Sequence, residues 1–169
     1  RYLIISFLLG MLSVLPALGL EISASQITSN FPAFFKTTAG IAINAYFFVA
    51  LPEEIWKFLM LLWYAYRKKE FDEPFDGIVY AVMVGMGFAT VENISYVSQY
   101  GLMTGIMRLF LAVPAHASFA IIMGYFMGKA RFSAQKQPFL LFLGLFWAIV
   151  FHGTYDFFLF LQECHKTGT

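Results

Sequence analysis

Long apolar stretches separated by short polar ones set the pattern of this chain. They run over residues 2–20, 39–66, 75–97, 104–128 and 138–162. Each is near or above the ~20 residues that a helix needs to cross the hydrocarbon core of a bilayer. In lipid the backbone must satisfy its own hydrogen bonds, so runs of this kind fold as helices. The expected fold class is all-α: a polytopic integral membrane protein, a bundle of about five transmembrane helices, with residues 1–169 as a single domain. The first run stays apolar for too long to be a signal peptide and reads as a spanning helix. The chain begins at Arg1 rather than Met, which reads as a processed chain or part of a longer one.

Prolines and small residues refine this pattern. Pro52 interrupts the second run, which predicts either a kinked span or two shorter helices. Pro114 lies inside the fourth run and Pro138 opens the fifth. Gly85, Gly87 and Ala89 on the third run, and Gly124 and Gly128 on the fourth, permit close helix approach. The connection "EISASQITSNFPAFFKTT" is polar and aromatic, and its "NFPAFFK" part is expected in the membrane interface.

Composition agrees. Hydrophobic residues make up 60% of the chain and charged residues 12%, about half the share usual in soluble domains. Mean hydropathy is +0.71. A net charge of +1 and the lack of a basic stripe give no reason to expect nucleic acid as a partner. A single cysteine, Cys164, excludes an internal disulfide and a thiolate cluster. Arg67, Lys68 and Lys69 follow the second run, and Lys129, Arg131 and Lys136 separate the fourth from the fifth. With five alternating spans these loops share a face with Arg1, against mainly Lys36, Lys166 and Arg108 opposite. The positive-inside rule then places the N-terminus in the cytoplasm and the C-terminus outside a cell membrane.

Ionisable residues inside these apolar runs are costly and are usually kept to form a site. They are Glu53 and Glu54 in "LPEEIWKF", Glu92 in "GFATVENISY", His116 in "LAVPAHASFAIIMGY", and His152 and Asp156 in "FHGTYDFF". Lys57 shares a helical face with Glu53, while Glu54 is expected to point elsewhere. The i,i+4 spacing of His152 and Asp156 allows the carboxylate to hold the imidazole in one tautomer. Gly153 leaves room beside them. With the orientation above, all of these positions fall between mid-membrane and the outer face, as one shared cluster would require.

The chemistry this set offers is water activation. A buried carboxylate can take a proton from water. Two histidines and a glutamate are also a known ligand set for catalytic zinc. That assignment uses Glu92, His116 and His152 as ligands of one divalent metal, with Glu53 or Glu54 as general base. A metal-free arrangement of Glu, water and His is the other scheme, with a second His stabilising the oxyanion. No serine or cysteine stands in a nucleophile setting, and the HExxH pattern is absent.

In these residues the chain resembles the PrsW family of intramembrane proteases, within the superfamily that includes the CAAX-processing prenyl endopeptidases. The matching pieces are "EEIWK" at Glu53–Lys57, "GFATVEN" at Gly87–Asn93, His116 in its own helix, and "HGTYD" at His152–Asp156. They lie within a catalytic core of residues 50–160. The resemblance implies an intramembrane endopeptidase acting on a membrane-anchored protein such as an anti-sigma factor, in a prokaryotic cell membrane. It implies Glu53 and Glu54 as the catalytic pair, Glu92, His116 and His152 as further essential residues, and Asp156 in support. The prenyl-protein branch has histidine at the Glu92 position, so prenylated substrates are not expected. Three readings compete: a proton- or ion-coupled channel or transporter using the same residues, a scaffold with purely structural polar groups, and hydrolysis of a lipid. A polar path joining both faces would mark transport; a closed cluster opening laterally to lipid would mark the protease.

Overall fold

The computed structural model describes residues 1–167, and the described residues are almost entirely helical. Helix α1 covers Tyr2–Asn30, α2 Pro32–Phe35 and α3 Thr38–Ile43. A π-helical segment, Asn44–Ala50, joins α3 to α4, Leu51–Trp63. The remaining helices are α5 Pro74–Tyr100, α6 Leu102–Phe110, α7 Ala112–Arg131 and α8 Gln137–Thr167. Four stretches are unbroken enough, long enough and apolar enough to cross a membrane: α1, α5, α6 with α7, and α8. The expected second span corresponds to the composite of α3, the π segment and α4, which is not among these four. The chain is a multi-pass membrane protein.

The elements differ from the hydropathy pattern in three places, each with a local cause. Helix α1 continues through the polar stretch that was expected to be a connection. There Ser23, Ser25, Thr28 and Ser29 each donate a hydroxyl hydrogen bond to a carbonyl three or four residues back. Their polar groups are thus satisfied within the helix. The second pass changes hydrogen-bond pattern instead of simply kinking. The Pro52 ring excludes the carbonyl of Phe48 from an α ladder, and the π segment lies over that residue. The fourth run divides at Leu111, with φ −116° and ψ −67°. Pro114, three residues on, excludes Phe110 in the same way and takes its place in the first turn of α7.

Glycines set how closely the helices approach. A Cβ on Gly77 would collide with the backbone of Gly124 and Gly128, so α5 and α7 meet backbone to backbone. On the other side of α5, Gly87 abuts Phe7 and Gly10 abuts Val84, which brings α1 equally close. This puts α5 at the centre of the bundle. One half of the interior, toward the basic loops, is a dry core including Leu61, Tyr66, Phe71, Tyr80, Met123 and Met127. The other half holds the polar residues. Outward faces such as Ile4, Leu8, Phe139 and Phe142 are apolar and exposed, as lipid contact requires.

Candidate active site

Three elements converge on one buried point. Helix α4 brings Glu53, Glu54 and Lys57; α7 brings His116; α8 brings His152 and Asp156. All six side chains are buried, Glu54 with only 1% of its surface exposed. Charges so deep require partners, and each has one. Glu54 Oε1 lies 2.8 Å from Lys57 Nζ and 2.8 Å from His152 Nδ1. Glu53 Oε2 lies 3.1 Å from Lys57 Nζ and 3.9 Å from His152 Nε2. Asp156 Oδ2 is 3.1 Å from His152 Nε2, across the i,i+4 step. The two imidazoles stand edge to face with centroids 5.1 Å apart, and the ring of Phe119 stacks on His152.

Lys57 corrects one expectation. Its ammonium engages Glu54 as well as Glu53, because positions i+3 and i+4 both fall on its side of the helix. It also donates to His116 Nδ1 at 3.1 Å and sits 3.9 Å from the centre of the Phe88 ring. Gly153 corrects another. The room beside it is filled by the ring of Tyr46, whose hydroxyl pairs with Thr154 at 2.7 Å.

Glu53, Glu54, His116 and His152 each offer a ligand atom, and these atoms all lie within 4.8 Å of one another. Two imidazoles and two carboxylates in a buried, shared position suit a divalent metal such as zinc. Lys57 shows that the position favours positive charge, since its ammonium contacts three of those four residues. An ion held by the same donors would take over those contacts. Glu92 lies on the far side of His116, outside this group. Its Oε2 is 2.8 Å from His116 Nε2, and its Oε1 is 2.7 Å from Arg108 Nη2. The ligand set read from the sequence therefore shares His116 and His152 with the observed group and differs in its carboxylate. Arg108 was read only as a loop charge. Its sequence signal was an isolated cation near the start of the fourth apolar run.

A cavity of about 460 Å³ reaches this cluster, lined by Glu53, Glu92, Arg108, His116, His152 and Asp156. Its lining also includes Glu21 of α1 and the exposed Tyr100 at the end of α5. Glu54 is not part of the lining. The lining extends from the cluster toward Gln99 and Tyr100, at the end of the bundle away from the basic loops, and the apolar core fills the interior toward the other end.

The whole arrangement lies within a stretch, residues 1–167, that matches the PrsW family of intramembrane metalloproteases. The chain belongs to the PrsW family. Among its relatives, Protease PrsW of Geobacillus kaustophilus is 38% identical over 159 residues, which is 93% of this chain and 66% of that protein. Protease PrsW of Bacillus subtilis is 36% identical over 155 residues, 91% of this chain and 67% of that protein. The counterpart from Clostridioides difficile is 34% identical over 134 residues, covering 76% and 56%. The chain thus spans about two thirds of the length of the first two PrsW proteins. No solved structure matches it.

Proposed function

We propose that this PrsW-family chain is an intramembrane endopeptidase that hydrolyses a peptide bond of a membrane-anchored protein, with an anti-sigma factor as the expected substrate type. The observation that carries the reading is the buried Glu53–Glu54–His116–His152 group, three of whose members line one cavity. Transport needs a polar path between both faces, and the packed core of Leu61, Tyr66, Phe71 and Met127 stands across it. The basic loops support a cytoplasmic N-terminus and an external C-terminus in a prokaryotic cell membrane, with the cavity toward the outside.

Glu53 is the general base in this scheme. It lines the cavity, whereas Glu54 is engaged by Lys57 and His152 behind it. Glu53 takes a proton from water; the oxygen attacks the scissile carbonyl carbon, the C–N bond breaks, and the proton passes to the amine. His152 faces the cavity with Glu54 on Nδ1 and Asp156 on Nε2, which fixes its ring beside the reacting carbonyl and commits both of its nitrogens to carboxylates. Phe88 and Phe119 pack against the imidazoles and keep bulk water away. A divalent ion held by Glu54, His116 and His152, with Glu53 left free as the base, would supply Lewis acidity, acidifying a water and polarising the carbonyl.

The test is cleavage of a single-span anti-sigma factor reconstituted in the same bilayer, together with the zinc content of the purified chain. Glu53→Gln is expected to lower cleavage by about 10²–10⁴-fold while leaving the fold intact. About one zinc per chain, lost in both His116→Ala and His152→Ala, is the result expected of a metal centre. Full activity in Glu53→Gln would overturn the assignment of the base.

A further inference from the structure

Both ring nitrogens of His116 have partners. Nε2 faces the Glu92 carboxylate at 2.8 Å, and Nδ1 faces the Lys57 ammonium at 3.1 Å. An ammonium only donates hydrogen bonds, and an ionised carboxylate only accepts them. One neutral tautomer satisfies both: the proton sits on Nε2, and Nδ1 keeps its lone pair. That lone pair points into the group formed with Glu53, Glu54 and His152.

What holds Glu92 in place comes from another element. Its second oxygen is 2.7 Å from Arg108 Nη2, and the Arg108 guanidinium lies 3.7 Å from the centre of the Tyr96 ring. Tyr96 is one turn along α5 from Glu92, so ring and carboxylate together clamp the guanidinium. Helix α6 is pressed onto α5 one turn before Arg108. A Cβ on Gly105 would collide with Val97, and Asn93 Nδ2 donates to the Gly105 carbonyl at 3.4 Å. Arg108 Nε is buried without a partner of its own. The guanidinium is therefore placed by Glu92 and Tyr96, at the expense of one of its donors.

We propose that Arg108 is a positioning residue: acting through Glu92, it holds His116 in the tautomer that keeps Nδ1 bare toward the four-residue group. A carboxylate behind a histidine fixes tautomer and ring direction in the same way wherever the imidazole must act as ligand or acceptor. Here that carboxylate is fixed in turn from α6. The use of this arrangement rests on the hydrolase reading above; its existence does not, so the test reads the imidazole directly.

The experiment is nitrogen NMR of the full chain in lipid nanodiscs with ¹⁵N-labelled histidine. The His116 signals are assigned by their loss in His116→Gln. Wild type is expected to show one protonated and one bare ring nitrogen at His116. In Arg108→Gln the two should move toward an average, and Arg108→Lys, which keeps the charge, should restore them in part. Glu92→Gln should have the same effect as Arg108→Gln, and the double variant should show no further change. His152 should keep its wild-type signals throughout. Titration with Zn²⁺ alone should show affinity lower by about 10–100-fold in Arg108→Gln. An unchanged His116 in Arg108→Gln overturns the proposal, and so does an equal change at His152, which would report a disturbed bundle. If cleavage is never found, the tautomer result still stands or falls alone.

Discussion

Lys57 is the side chain on which the electrostatics of the cluster depend. It is the cation shared by two buried carboxylates, and it fills the space where their oxygens approach the imidazoles. Breaking a buried ion pair by removing one partner typically costs about 3–5 kcal/mol, because the other charge is left uncompensated. Lys57→Met is expected to lose stability on that scale, measured as the unfolding midpoint in mixed micelles. The double variant with Glu53→Gln should recover part of the loss, since one orphaned carboxylate is then gone. Stability unchanged in Lys57→Met would show that the carboxylates have another source of compensation. Much of this was legible in the residues. The "EEIWK" spacing placed Lys57 on the Glu53 face, and His152 with Asp156 formed the expected i,i+4 pair. What spacing could not show was the division of labour among the carboxylates. Glu92 and Glu53 both lie in apolar runs, and only the packing of α4, α5 and α7 decides which side of His116 each one meets.

Glycine contacts govern the next scale. Gly124 sits against Gly77, with Ile78 Cα 2.7 Å and Ala81 Cβ 2.8 Å from where its own Cβ would stand. Gly124→Leu forces α7 away from α5 and should cost about 1–3 kcal/mol as an overpacked contact. His116 lies on the same helix, so activity should fall with stability. Gly19→Ala is the control: nothing lies within 4 Å of a Cβ there, and the unfolding midpoint should hold or rise slightly. Equal behaviour of the two variants would contradict close packing as the role of Gly124. Hydropathy gave these passes but not their irregularities. The extension of α1 depends on hydroxyls folding back on their own helix, and the π segment depends on where the Pro52 ring meets the preceding turn. Both are local hydrogen-bond decisions that a window average smooths away.

At the scale of the whole molecule, the sidedness of the bundle can be read by chemistry. With Cys164 replaced by serine, single cysteines at Lys69 and Gln99 occupy exposed positions at opposite ends of the bundle. A membrane-impermeant maleimide applied to intact cells should label Gln99→Cys, and should reach Lys69→Cys only after permeabilisation. The reverse pattern would invert the proposed orientation, and labelling of both from one side would contradict the number of passes between them. The bundle itself was foreseeable, because apolar length alone demands spanning helices. The place of the cavity was not, because it depends on how Met123, Tyr80 and Phe71 fill the interior on one side of the polar cluster. That filling also bears on traffic. The apolar core fills the interior on one side of the cluster, so on the proposed reading a severed fragment would leave along the side lined by Glu21 and Tyr100. Where that departure is slow, repeated turnover would be set by it as much as by bond breaking, and a lingering fragment would act as an inhibitor.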